Sequence, residues 1–211
     1  MYRIGASSNL RGWGLFSMLA LLVLIVTTVA LLWQPQLVDG LRSAIRTTAR
    51  TSFALFLATF LASSLAFLLP NSTTKALLRE RRILGLAFAF SHLLHGILIL
   101  AYAQLFPDIF WAGRTAATNI PGSVGYLFIL LLSLTSFSWA MKTLGGRAWK
   151  LLHSTGTWLI AADFCLSFGK RIPMNAWYAL GFCIIFSAIV LKVTAKLAQR
   201  NHRRIQQTSA A

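Results

Sequence analysis

The sequence predicts an all-α integral membrane protein, a bundle of six transmembrane helices with both termini in the cytoplasm. Of its 211 residues, 57% are hydrophobic and only 11% are charged, whereas soluble domains carry about 25% charged residues. The hydrophobic residues fall into long runs, and about 20 mostly apolar residues are enough for a helix to cross the hydrocarbon core. Cys165 and Cys183 lie inside such runs and form no disulfide framework or metal-ligand spacing. A soluble enzyme and a disulfide-rich secreted domain are therefore excluded.

The six predicted spans follow one another and are separated by helix-breaking residues. The spans are Trp13–Trp33, Ser52–Leu69, Ile83–Leu105, Val124–Met141, Leu151–Phe168 and Ala176–Leu191. The breakers are Pro35, Pro70, Pro107, Pro121, the pair Gly145–Gly146, and Pro173. Because proline and glycine mark turns between periodic segments, we expect one membrane domain over residues 13–191. A cytoplasmic segment (1–12) precedes it and a basic cytoplasmic tail (192–211) follows; the first span lacks a cleavage pattern and is expected to be retained.

Basic residues are distributed unequally between the two sides of this predicted bundle. Lys and Arg number 20 against 4 Asp and Glu, for a formal charge of +16. The larger group comprises Arg3, Arg11, Lys75, Arg79, Arg81, Arg82, Lys142, Arg147, Lys150, Lys192, Lys196, Arg200, Arg203 and Arg204, and the smaller comprises Arg42, Arg46, Arg50, Arg114, Lys170 and Arg171. Cytoplasmic loops carry an excess of Lys and Arg, so the larger group predicts the cytoplasmic side. Topology and attraction to the lipid bilayer explain the charge, and nucleic-acid binding is not expected.

Few ionisable residues lie within the predicted spans, where such groups are costly and usually functional. His92 and His95 are three residues apart on the third span and therefore share a helix face. His153 opens the fifth span, and Asp163 lies deeper in the same helix. Each histidine could hydrogen-bond to a neighbouring carbonyl and stabilise helix packing. The functional alternatives are haem ligation, a metal ion or a proton path, while Asp163 must be protonated, paired with a cation or beside water.

Three strings together resemble the ferric reductase-like transmembrane family. They are TARTSFALFLATFLASSLAFLLP at the second span, RRILGLAFAFSHLLHG at the third, and LTSFSWAMKTLGGRAWKLLHSTGTWL across the fourth-to-fifth turn. The resemblance covers about residues 46–197 and is strongest to the haem-binding membrane subunits, of the MsrQ type, in bacterial periplasmic methionine sulfoxide reductase systems. It implies a multi-pass protein of the bacterial inner membrane that binds haem b between histidines of the third and fifth spans. It also implies electron transfer from a separate cytoplasmic flavin-dependent reductase to an outer acceptor such as a periplasmic oxidoreductase.

The resemblance assigns individual positions to haem ligation. His95 matches the third-span ligand, ten residues after Gly85 of the RRxLG motif, and His153 matches the first histidine of the fifth span. The family's second fifth-span histidine follows thirteen residues later, where this chain has Leu166. In the layout that the resemblance implies, position 166 is level with His95, so His153 lies thirteen residues away along its helix. Thirteen helical residues extend about 20 Å, and His95 and His153 therefore cannot share one iron. We therefore expect one retained outer ligand, His95, and one lost ligand.

The alignment of the third and fifth spans that the resemblance implies places His153 level with Arg81 and Arg82, near the cytoplasmic surface. An arginine pair at that depth could bind haem propionates or, more simply, lipid phosphate.

The same alignment of the two spans places His92 level with Asp163. His92 lies three residues before His95, and Asp163 lies three residues before Leu166. A buried pair would relieve the cost of leaving each group alone and could act as a polar lock or a proton-carrying element. A metal site built from His92, His95 and Asp163 is a further alternative.

The predicted function is a haem-b-binding membrane electron-transfer subunit, at most one part of an oxidoreductase system. The sequence has no GxGxxG fingerprint, and twenty residues follow Leu191, so we expect flavin and nicotinamide chemistry in a separate reductase. The alternatives are a haem-less structural or assembly protein of the same architecture and a small proton-coupled transporter using His92 and Asp163. The sequence shows no inverted repeat or paired broken helices that would favour a transporter.

Overall fold

The computed structural model describes residues 11–112 and 116–208, and these ranges are helical almost throughout, with no strand among them. The helices are α1 (Trp13–Leu32), α2 (Leu37–Leu68), α3 (Ser72–Arg79), α4 (Arg81–Leu105), α5 (Pro107–Trp111), α6 (Ala116–Leu134), α7 (Ser138–Leu144), α8 (Gly146–Gly169) and α9 (Trp177–Thr208). The all-α prediction is confirmed. Arg3 and Arg114, which contributed to the predicted orientation, lie outside the described residues.

Four helices, α1, α2, α4 and α9, are long and apolar enough to cross a membrane. A fifth span results if α6 and α7 are counted together, although the two are bent by 102° at the break between them. The helix α8 is 24 residues long but falls outside this group, since it carries His153, Asp163 and several serines, threonines and glycines. Within the described ranges the chain therefore has four or five spans by length and composition, and the predicted six are not confirmed.

The second helix begins much earlier than the sequence predicts. The basic stretch before Ser52, expected to be an outer loop, belongs to α2, which starts at Leu37. Its arginines, Arg42, Arg46 and Arg50, are spaced by four and all exposed. Because residues four apart share one helix face, these charges remain outside the core without ending the helix.

Two other boundaries also differ from the prediction. The helix α9 continues to Thr208, so the basic residues after Leu191 extend the last helix and do not form a separate irregular tail. Pro121 lies inside α6 and not between helices, because losing one N–H donor near a helix start removes a single backbone hydrogen bond. The Gly145–Gly146 turn is confirmed: Gly145 has φ 76°, a conformation that favours glycine.

The core lies where α2 meets its neighbours. The helix α2 packs on α1, α4 and α9, while α8 lies against α6 and α9. The main buried cluster comprises Phe53, Phe56, Phe60, Phe88, Ile129, Ile160, Ala161, Ile185 and Ala188. Aromatic rings from α2, α4 and α8 therefore fill the centre of the bundle at this level.

A seam of buried hydroxyl groups joins α2 to α4. Ser52 Oγ donates to Ser91 Oγ at 3.0 Å, and Ser91 Oγ lies 2.9 Å from Thr51 Oγ1 and 3.4 Å from the Thr48 carbonyl oxygen. Thr48, Ser52 and Ser91 are all completely buried. Hydrogen bonds between helices are a principal means of association in membranes, so this seam sets the register of α4 on α2.

Candidate functional site

His95 is anchored to α2 through one ring nitrogen. Its Nδ1 lies 3.0 Å from the Ile45 carbonyl oxygen and 3.1 Å from Thr48 Oγ1. A carbonyl oxygen can only accept, so we assign the proton to Nδ1. The Nε2 atom then carries the lone pair, and within the described residues it makes no hydrogen bond. A backbone carbonyl on one nitrogen that leaves the other available is the arrangement usual for metal-ligating histidines.

His92 lies one turn before His95 and contacts aromatic rings instead of polar groups. Its ring centroid is 4.8 Å from that of Tyr126, 5.3 Å from His95 and 5.6 Å from Phe88. Its Nδ1 is buried and has no hydrogen-bond partner among the described residues. The hydroxyl of Tyr126 is also buried and has no hydrogen-bond partner among these residues. Two rings in contact between α4 and α6 therefore each carry an unsatisfied polar atom.

Tyr126 was not identified from the sequence, where it is a single tyrosine in an apolar run. A small residue makes room for it: a Cβ added at Gly96 would lie only 3.0 Å from Tyr126 Cε1 and 3.1 Å from its hydroxyl oxygen. The signal that could have found it is that Gly96 directly follows His95. Such a glycine in an apolar helix favours close approach of another helix.

Asp163 faces α6 and not α4. A Cβ added at Gly125 would lie 3.3 Å from Asp163 Oδ2, and the cations that act on this carboxylate are Lys170 and Arg171. In the described part of the chain, no hydrogen bond or ion pair joins Asp163 to His92. Asp163 instead lies next to Gly125, the residue that precedes Tyr126 in α6.

Leu166, at the position where the resemblance expects a second ligand, lies on the outside of the bundle with 53% of its surface exposed. The inner face of α8 at this level carries phenylalanines. Phe164 lies 5.1 Å from Phe53 and 6.3 Å from His92 by ring centroids, and Phe168 lies 4.8 Å from Phe53. The side of α8 that faces α2 and α4 is therefore packed with hydrocarbon.

His153 is held at the turn between α6 and α8 and is not brought together with His95. Its Nε2 lies 3.0 Å from Thr135 Oγ1, and that hydroxyl donates to the Leu131 carbonyl at 2.6 Å, so Nε2–H is the donor to Thr135. Trp149 stacks on the imidazole with centroids 4.2 Å apart, and its Nε1 donates to the Thr135 carbonyl at 2.8 Å. The three side chains close the break at which α6 ends.

The two arginines of the RRxLG motif differ in environment. Arg81 is half-buried, and its Nε donates to the Thr59 carbonyl of α2 at 3.1 Å. Its charge also acts on His153. Arg82 is exposed, so the pair does not converge on one point.

The metal-site alternative receives no support from this geometry. Within the described residues, no group of three or more His, Cys, Asp or Glu side chains could hold a metal ion. His92 and His95 are neighbours on one helix, whereas Asp163 points toward α6.

This chain is similar to known membrane redox proteins over its central part. The family described as "Ferric reductase like transmembrane component" matches residues 48–163, more than half of the chain. A protein of Azospira oryzae, named "Protein-methionine-sulfoxide reductase heme-binding subunit MsrQ", is 41% identical over 85 residues. That stretch covers 36% of this chain and 34% of the Azospira protein, so the match spans about a third of that relative's length. No solved structure matches the chain.

Proposed function

Because this chain belongs to the ferric reductase-like transmembrane family, we propose that it is a haem-binding membrane subunit that carries electrons. The observation that carries the proposal is the state of His95. Its Nδ1 is fixed by Ile45 and Thr48 on α2, which leaves the lone pair of Nε2 for a ligand bond. The name of the Azospira relative includes haem binding and supports the same cofactor here.

The residues present fit a haem held from one side and do not fit a clamp of two histidines. His95 offers a ligating nitrogen, whereas Leu166 has no ligating atom and lies on the outside of α8. His92 is on the same helix as His95 and cannot bind the opposite face of one iron, and His153 uses Nε2 on Thr135. A b-type haem held by His95 would supply one-electron redox chemistry. The chain itself would supply an apolar surrounding and a fixed imidazole.

The direction of electron flow is part of the proposal. We place the donor, a flavin-dependent reductase, in the cytoplasm, and the acceptor, a periplasmic oxidoreductase, on the outer side. The Azospira relative is named as a subunit of a protein-methionine-sulfoxide reductase, which supports an acceptor of that class. Co-purification of this chain with a periplasmic methionine sulfoxide reductase from the same host would test the partner.

The corresponding topology has both termini in the cytoplasm of a bacterial inner membrane and six spans, with α8 as one of them. Reporter fusions at Lys75, Arg147 and Arg203 should report cytoplasm, and fusions at Arg42 and Lys170 should report the outer side, as should one at Arg114. Equal signals at Arg147 and Lys170 would show that α8 does not cross the membrane.

An absorption spectrum of detergent-purified protein, expressed with ample haem, tests the cofactor. We expect α and Soret bands after dithionite reduction, at most one haem per chain, and the spectrum of iron with a single histidine ligand. The Leu166→His variant should leave that spectrum unchanged, because position 166 faces outward. A conversion to the spectrum of two-histidine iron in this variant would show that α8 turns toward α4. A wild-type protein without haem bands would contradict the proposal.

One observation favours a second candidate function, a haem-less structural or assembly subunit of the same architecture. The inner face of α8 packs phenylalanines against the core, and position 166 offers no ligand atom. The same spectrum separates the two functions, since a haem-less subunit would show no bands while remaining folded and helical in detergent.

A further inference from the structure

Two basic side chains turn inward at the end of the bundle where α4 begins. Lys192 Nζ donates to the Phe60 carbonyl and lies 4.2 Å from the centroid of the Phe60 ring. Arg81 Nε donates to the carbonyl of the adjacent residue, Thr59, at 3.1 Å. Both side chains are half-buried. One cation from α9 and one from α4 therefore meet on consecutive carbonyls of α2.

No carboxylate balances these two charges in the described part of the chain. The ion pairs found there are Arg42–Asp39 and Arg79–Glu80, and neither involves Lys192 or Arg81. The two charged groups that act on Lys192, Arg81 and Lys196, are both positive. Taking a charge out of water is costly unless it is paired, and the two carbonyls supply only partial negative charge. The two cations therefore lack an anionic partner within the described chain.

A shallow apolar groove of about 350 Å³ lies beside this site, between α2 and α9. Its walls include Leu57, Leu61, Cys183, Ile184, Ser187 and Leu191. A second hollow, on α9 alone, shares Ser187 and Leu191 with the groove. From Cys183 to Leu191, the α9 residues that line the groove with α2, the helix rises about 12 Å, which is most of one leaflet of a hydrocarbon core roughly 30 Å thick. Lys192 follows Leu191, the last α9 residue of the groove.

We propose that this site binds one anionic phospholipid, with its phosphate at Lys192 and Arg81 and an acyl chain along the groove between α2 and α9. Charge complementarity and the position of the cations at the end of the groove favour this occupant. A guanidinium binds phosphate oxygens with fixed geometry, and an ammonium binds them as a point charge. The lipid belongs to the leaflet on the side that carries most of the basic residues. The proposal does not depend on the presence of haem.

Thermal unfolding of the detergent-purified full chain, titrated with lipid, tests the site. Phosphatidylglycerol should raise the unfolding temperature, whereas phosphatidylcholine with the same acyl chains and inorganic phosphate should not. The double variant Arg81→Gln, Lys192→Gln should lower the affinity for phosphatidylglycerol at least about tenfold, since the loss of even one hydrogen bond between charged groups costs about that factor. The control variant Lys75→Gln, Lys142→Gln removes two exposed charges from the same side and should bind like the wild type.

A groove variant keeps the proposal testable if the charge variant does not fold. Ser187 is exposed at the groove wall, so Ser187→Phe fills the groove without entering the core and should also reduce phosphatidylglycerol retained per protein, as measured by native mass spectrometry. Equal stabilisation by both lipids, or full stabilisation by phosphate alone, would overturn the proposal. A charge variant that loses haem while retaining its lipid would also overturn it, because the cations would then serve the cofactor.

Discussion

Two histidines of this bundle each contact a threonine, yet they present opposite nitrogens to it. His95 uses Nδ1 on α2, with Ile45 and Thr48, and keeps Nε2 available. His153 uses Nε2 on Thr135 and stacks against Trp149. Because Nε2 is the nitrogen farther from the backbone, its engagement removes the atom that extends toward a ligand. The identity of the hydrogen-bonded nitrogen, more than the presence of a histidine in a span, therefore separates a candidate ligand from a structural residue.

Exchanging the two histidines for alanine gives the largest expected difference. His95→Ala should lose nearly all bound haem, since it removes the available Nε2, whereas His153→Ala should keep it. Haem per protein, measured from the absorbance of the extracted haem in pyridine, checks both variants. If His153→Ala loses as much haem as His95→Ala, the assignment of His153 to a structural role fails.

Thr48→Val changes the anchoring of His95 while leaving its ring in place. Partners that orient a ligating histidine typically contribute 10–100-fold in affinity, and Thr48 shares that role with the Ile45 carbonyl, so we expect a loss near the lower limit, about tenfold. Thr59→Val is the matched control, because the Thr59 hydroxyl donates only to Leu55 of its own helix. Haem titration of both apoproteins would measure the difference, and equal affinities would show that Ile45 alone holds the imidazole.

Trp149→Phe tests the other histidine region without altering haem. The substitution leaves the Thr135 carbonyl without its indole donor, and an unsatisfied buried group costs about 1–3 kcal/mol. Thermal unfolding in detergent should therefore shift downward, while haem content remains that of the wild type. Trp139→Phe, at an exposed position of α7, should leave the unfolding temperature unchanged. A normal unfolding temperature in Trp149→Phe would show that the break between α6 and α7 does not need this contact.

The smallest effect expected concerns Asp163. The sequence predicts that Asp163→Asn and His92→Phe are coupled, but the structure contains no bond between these residues in its described part. We expect their effects on stability to add within about 0.5 kcal/mol. His92→Phe and Tyr126→Phe should be more strongly coupled, because the rings are in contact. A clear coupling between Asp163 and His92 would instead support the pair that the sequence predicts.

Sequence reasoning identified the long apolar helices, because hydropathy is summed over about 20 consecutive residues of one segment. The choice of His95 as a candidate ligand comes from a local motif and stays a prediction. Sequence reasoning also identified the turn at Gly145, since only the local backbone decides it. It placed the start of α2 too late, because a stretch with three arginines was interpreted as a loop. In the structure these arginines lie on one exposed face of the helix. The end of α9 was misjudged for the same reason.

The polar contacts of the site could not be predicted, since they depend on how helices rotate against one another. The orientation of α8 decides that Phe164 faces the core while Leu166 faces outward, and no local pattern encodes that rotation. Tyr126 enters the site only because Gly96 allows α6 to approach α4. The engaged nitrogen of His153 likewise depends on Thr135, eighteen residues away.

The helix α2 connects the two ends of the molecule mechanically. The carbonyl that holds His95 belongs to Ile45, and the carbonyl that holds Arg81 belongs to Thr59. These positions are about 21 Å apart along one helix, and no proline or glycine interrupts the residues between them. Since sharp kinks arise mostly at such residues, α2 holds the two carbonyls in a fixed position relative to each other. The proposed lipid site and the imidazole of His95 would therefore be attached to one unbroken helix.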